Sequence, residues 1–255
     1  MEVIIKANAE EVAAEAYEIV EAALRAAPSL SLGLATGRTP LGLYLLMRES
    51  RLDFSAARFF NLDEFVGLGP EHPASFHRFL HENLLGGLNA QRRNVRLLRG
   101  SAEDLPEECR LHEEAIRAAG GIDVQVLGVG RNGHIAFNEP GSSLGSRTRV
   151  KTLEAQSASD YASMFASPGE VPRFSLTMGV GTIMEARRLL VLATGPMKAD
   201  IVRRMIEGPV TAEVPGSALQ FHPRATIVLD EEASVQLARR AYWKWVYQNK
   251  WRVGQ

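Results

Sequence analysis

The chain has 255 residues, 45% hydrophobic and 23% charged, with 29 basic and 30 acidic side chains and a formal net charge of −1. This is ordinary globular composition, long enough for a large α/β domain, and it lacks the excess positive charge of a nucleic-acid binder. Cys109 is the single cysteine, which excludes an internal disulfide and a cysteine-based metal site and suits a reducing compartment. No apolar run approaches the roughly 20 residues needed to cross a bilayer. Met1–Asn8 leads at once into a Glu-rich helix rather than a signal peptide. A cytoplasmic protein with no membrane or nucleic-acid partner is expected.

Residues 9–27 read as an amphipathic helix, with Val12, Ala16, Ile19, Val20 and Ala23 at helical spacing and Pro28 as its stop. Residues 30–35 form a short apolar run bounded by turn residues, the mark of a buried strand. Thr36-Gly-Arg-Thr-Pro40 then opens a second helix, with Thr39 placed to cap it and Pro40 suited to its first turn. Residues 58–62 predict a strand and 75–85 a helix; 107–119 predict a helix and 124–128 a strand. Residues 189–193 predict a strand followed by a helix over 198–207, and 225–229 a last strand with a closing helix from about Glu231. Strands alternating with helices imply one Rossmann-like α/β domain over residues 1–255, a mostly parallel sheet with helices on both faces.

Such sheets bind ligands beyond the carboxyl ends of their strands. Four segments fall there: 36–40, 61–65, 128–140 and 194–198. The turn holding Gly37, Arg38 and Thr39 precedes a helix N-terminus, where free N–H groups and the helix dipole suit a phosphate; an ordinary capped turn is the alternative. It has neither P-loop nor dinucleotide glycine spacing. Asp63 and Glu64 are adjacent at a strand end and face opposite ways, which suits one at the site and the other solvated or paired; a turn or helix-start feature is the commoner alternative for such a pair.

In Gly128-Val-Gly-Arg-Asn-Gly-His-Ile-Ala-Phe-Asn-Glu-Pro140, His134 precedes Glu139 by five residues. A His paired with a carboxylate holds one tautomer and passes protons near neutral pH; a buried, satisfied His in a Gly-rich turn is the competing reading. Ser142 and Ser143 lack a nucleophile elbow, which leaves a serine hydrolase unsupported. His77 and His81 share a helix face without a carboxylate to complete a metal triad. Lys198, at a helix start, is either a phosphate ligand or an exposed lysine.

Together these segments resemble the glucosamine-6-phosphate deaminase family almost from end to end. Residues 32–41 look like its phosphate loop, and 60–68 like its general-base motif. The stretch from Gly128 through Ser-Arg-Thr to Leu153 looks like its most specific block. The resemblance implies a cofactor-free and metal-free conversion of glucosamine 6-phosphate and water to fructose 6-phosphate and ammonium. It implies that His134 opens the pyranose ring with Glu139 as partner and Asn132 positioning it, and that Asp63 carries the C2 proton to C1. Gly37, Arg38, Thr39 and Lys198 are implied as phosphate ligands. Ser142, Ser143, Arg149 and Lys151 match positions that bind an acetylated sugar phosphate in allosteric, oligomeric members, so a homo-oligomer is compatible with the resemblance.

Three departures stand out. Asn132 replaces the Asp that many members carry, Arg38 replaces a Gly of the phosphate loop, and Ser163 occupies the place of a lid arginine. Arg38 is thus expected to replace the lid arginine beside Lys198; the alternative is that Arg38 points into solvent and phosphate binding is weakened, which makes an unphosphorylated amino sugar a plausible substrate. Two rival functions compete with the deaminase: a 6-phosphogluconolactonase, which has a similar Gly-His turn, and a non-catalytic sugar-phosphate sensor.

Overall fold

The computed structural model describes residues 1–250, without the side chains of residues 156 and 168. The last five residues of the expected domain therefore lie outside the described residues. Seven strands form the central sheet: β1 (Glu2–Lys6), β2 (Ser31–Leu34), β3 (Arg58–Asn61), β5 (Val95–Arg96), β6 (Val124–Leu127), β9 (Leu189–Ala193) and β10 (Ala225–Asp230). They are parallel throughout and lie in the order β1-β10-β9-β6-β2-β3-β5. Strands β2, β6, β9 and β10 are buried at every position. Strands covered on both faces by helices are apolar in runs rather than in alternation.

The flanking helices include α1 (Ala9–Ala26), α2 (Leu41–Glu49), α3 (Phe76–Asn83), α4 (Leu105–Ala118), α6 (Val180–Met184), α7 (Ala199–Glu207) and α8 (Arg240–Gln248). α1 packs on α2 and β10, and buries Val12, Ala16, Ile19 and Val20, the apolar stripe of its sequence. Asn8 caps it by accepting the Glu11 N–H at 2.9 Å.

Three features differ from expectation. Thr39 caps nothing: Pro40 occupies the N-cap position of α2 in helical geometry, and its carbonyl accepts the Tyr44 N–H at 3.0 Å. The closing helix begins at Arg240, not Glu231, because the Asp230 carboxylate accepts the Ala233 N–H at 2.7 Å and holds the following residues in turns. The N-terminal residues do not pass directly into a helix; β1 pairs first with β10 along the sheet edge.

A second, antiparallel sheet of β4 (Asp63–Phe65), β8 (Phe174–Thr177) and β7 (Arg149–Thr152) stands beside the first. Only Leu62 separates β3 from β4, so the chain crosses from one sheet to the other just before Asp63. Asn61 fastens that crossing: its Nδ2 donates to the Asp63 carbonyl at 2.7 Å, and its Oδ1 accepts the Leu98 N–H at 2.8 Å. The connection from β7 to β8 contains helix α5 (Ala155–Tyr161), the lid segment.

Candidate active site

The sheet order places β9, β6, β2 and β3 side by side. Their carboxyl ends release the four segments expected at the functional edge. The order reverses between β2 and β6, the switch point where open α/β sheets form a ligand crevice.

The loop after β6 is shaped by tight backbone approaches. A Cβ on Gly130 would stand 2.1 Å from Cε1 of His134, so only glycine lets the imidazole lie over this turn. Gly133 has φ +95°, and Ala136 has φ +50°, a left-handed conformation that costs energy for a residue with a side chain. Asn138 holds the loop through two donations, to the Ile135 carbonyl at 2.9 Å and the Met178 carbonyl at 2.7 Å.

His134 Nδ1 lies 3.4 Å from Glu139 Oε2. Asn132 joins the pair at both ends: its Nδ2 donates to Glu139 Oε2 at 2.9 Å, and its Oδ1 accepts the His134 N–H at 3.2 Å. Burial alone would raise the Glu139 carboxyl, but hydrogen bonds and charge from His134, with Ser157 and Asn132, bring it down to about 2. Glu139 is therefore an anion across the neutral range, with its second oxygen buried and unbonded.

Asp63 and Glu64 divide as strand alternation requires. Glu64 accepts the Phe76 and His77 N–H groups at 3.1 and 2.9 Å and the Ser75 hydroxyl at 2.8 Å, anchoring the start of α3. Asp63 is 5% exposed, and no side chain among the described residues hydrogen-bonds its carboxyl. Burial, followed by the negative charge of Glu64, pushes its pKa up to about 8.

Thr177 links the two halves of the site. It is the β8 partner of Asp63, and its hydroxyl oxygen accepts the Phe137 N–H at 3.0 Å. Tyr161 of the lid stands close enough to Asp63 and Glu139 for both charges to disfavour its ionisation, after burial. Its ring packs among Phe65, Phe76 and Phe137 at centroid distances of 5.4, 5.8 and 5.4 Å.

Lys198 is half-buried, and its Nζ donates to the Val129 carbonyl at 2.7 Å, with its pKa lowered chiefly by desolvation. Arg38 is exposed on the turn after β2, beside exposed Gly37 and half-buried Thr39. Ser163 is exposed in the lid. Arg149 and Lys151 share a face of β7, and Arg149 donates to Asn138 Oδ1 at 2.9 Å; Ser142 is buried and Ser143 exposed. His77 and His81 occupy α3, and no cluster of three His, Cys, Asp or Glu suited to a metal occurs among the described residues. Among the described residues, no helix is long and apolar enough to cross a membrane.

Sequence reasoning misses Ser157, Asp160 and Tyr161. Ser157 Oγ lies 3.5 Å from His134 Nδ1, and Asp160 forms an ion pair with Arg131. Neither contact has a local signature, since 23 and 29 residues separate the partners.

The chain is a doubly wound α/β protein with a His134–Glu139–Asn132 cluster and a buried Asp63 carboxyl at the carboxyl edge of its sheet. The family model described as glucosamine-6-phosphate isomerases/6-phosphogluconolactonase matches residues 5–228, and the chain belongs to that family. It is 45% identical over 238 residues to the glucosamine-6-phosphate deaminase of Thermoanaerobacter pseudethanolicus, covering 92% of this chain and 94% of the relative. It is 45% identical over 254 residues to that of an Arthrobacter species, covering 98% of each. A solved monomeric glucosamine-6-phosphate deaminase superposes with a TM-score of 0.90 at 38% identity, covering 92% of this chain and all of that one. The 6-phosphogluconolactonase of Trypanosoma brucei, with a TM-score of 0.74 and 23% identity over 93% of this chain and 98% of its own, shares the fold.

Proposed function

We propose that this protein, acting as one catalytic unit, converts glucosamine 6-phosphate and water to fructose 6-phosphate and ammonium. The observation that carries the reading is Asp63: a buried carboxyl with no side-chain partner and a pKa near 8, on the same sheet edge as the His134–Glu139 pair. A desolvated carboxylate is a strong base toward a carbon acid, and an imidazole suits an oxygen near neutral pH.

His134, held by Glu139 and Asn132, moves the proton that opens the pyranose ring. Asp63 removes the C2 proton, giving an enolamine, and delivers that proton to C1, giving an imine at C2. Water then replaces nitrogen at C2, and ammonia leaves with the proton that makes it ammonium. The turn at Gly37–Thr39 and Lys198 receive the phosphate. No cofactor enters the scheme. Phosphorylated sugars do not cross membranes unaided, which supports a cytoplasmic setting and a role in amino-sugar catabolism.

Ammonia release measured side by side with glucosamine 6-phosphate and with glucosamine tests the reading. Release from the phosphorylated sugar is expected. Activity on neither overturns the reaction, and greater efficiency on the free sugar overturns the substrate.

A further inference from the structure

The loop leaving β6 carries a cation that the scheme above does not use. Arg131 follows the strand whose neighbours, β2 and β9, bear the two segments assigned to phosphate, Gly37–Thr39 and Lys198. Lys198 grips the Val129 carbonyl, two residues before Arg131, so the ammonium and the guanidinium belong to one stretch of the edge. Arg131 in turn is ion-paired with Asp160 of the lid helix α5, with a second contact from Nε to Oδ2 at 3.4 Å. Their side chains remain 42% and 33% exposed, open to exchange with a solute. Lys198 senses both charges, Asp160 favouring its protonated form and Arg131 opposing it. The lid carboxylate Asp160 thus pairs with Arg131 and stands within electrostatic reach of Lys198.

Guanidinium binds carboxylate and phosphate with the same two-pronged geometry. We propose that Arg131 is a phosphate ligand of this enzyme, and that Asp160 holds the phosphate's place on Arg131 until substrate arrives. The inference rests on the amino-sugar phosphate reading and deepens it. A phosphate dianion reaching Lys198 with Asp160 in place would face a like charge. Transfer of Arg131 from Asp160 to the phosphate removes that repulsion and supplies the cation that Ser163 does not. Arg38, by contrast, is exposed and has no ion pair among the described residues.

An exchange of this kind makes the two members of one ion pair act in opposite directions. A latch that merely fastened the lid would make them act alike. Inorganic phosphate is titrated calorimetrically into the wild type, Arg131→Gln and Asp160→Asn, and KM for glucosamine 6-phosphate is measured for each. Arg131→Gln is expected to weaken phosphate and raise KM by about tenfold or more, the loss of one charge-assisted contact. Asp160→Asn is expected to tighten phosphate and lower KM severalfold, and Arg131→Lys to fall between wild type and Arg131→Gln.

Any pattern other than opposite signs in the first two variants overturns the proposal, as does a wild type that binds no phosphate. Opposite shifts in phosphate binding without ammonia release would keep Arg131 as a phosphate ligand and remove the amino-sugar reaction. Ammonia release with shifts of one sign would do the reverse.

Discussion

Asn132 bonds to both members of the His134–Glu139 pair, donating to Glu139 Oε2 and accepting the backbone N–H of His134. An aspartate has no proton to donate at that position, and it would bring a second negative charge against Glu139.

Asn132→Asp is therefore expected to raise the Glu139 pKa from about 2, because a like charge disfavours ionisation. The Glu139 carboxyl, followed by carboxylate-carbon NMR, then titrates at higher pH. An unmoved Glu139 titration would show that the amide does not control it. Glu139→Gln is expected to cost about 10²-fold or more in kcat on the ring-closed substrate.

Asp63→Asn should abolish exchange of the C2 proton with solvent; retained exchange would assign the base elsewhere. The same variant should be more stable than the wild type at neutral pH. The folded-state pKa lies above the ordinary value of 3.8, at about 8, so the native state binds more protons between those pH values. Its favourable contribution is complete below the unfolded pKa and is lost as pH rises through about 8. Denaturant melts at pH 5 and pH 9 check this: the advantage of Asp63→Asn should be larger at pH 9. The free enzyme's kcat/KM should rise with pH through the same region, as Asp63 ionises.

Glu64→Ala separates the neighbouring acid from catalysis. It strips the Ser75 hydroxyl and the Phe76 and His77 N–H groups of their acceptor in a buried setting. A loss of about 3 kcal/mol is expected, read as a lowered midpoint in denaturant. A variant as stable as wild type would remove its anchoring role.

Gly130→Ala places a methyl group within 2.1–2.4 Å of three His134 ring atoms. The imidazole must move, and kcat is expected to fall about tenfold or more in a chain that still unfolds cooperatively. Wild-type turnover would show that His134 has room to spare.

The central sheet is legible in the sequence because its strands are short apolar runs followed by turn residues and amphipathic helices, as in Ser31–Leu34 and α1. Glu2–Lys6 is not, because an edge strand of five residues with charged ends shows no clear period. The small sheet is illegible for a different reason. Arg149–Thr152 and Phe174–Thr177 gain their identity only from pairing across the lid. Asp63, His134 and Glu139 can be singled out because they lie in the segments that leave the carboxyl ends of β3 and β6. The lid residues cannot, since Ser157 and Tyr161 meet the site only through tertiary packing.

The lid is threaded between β7 and β8, and β8 is paired with the strand that carries Asp63. Thr177, at the end of the lid's outgoing strand, sits opposite Asp63 itself. The doorway and the tool are therefore mounted on one frame. On the proposed reaction, a mutation that re-tailors the lid for a bulkier or uncharged sugar is expected to move the Asp63 carboxylate as well. Changes in substrate range in this protein should then arrive coupled to changes in the rate of carbon deprotonation, and the two traits cannot be evolved in isolation.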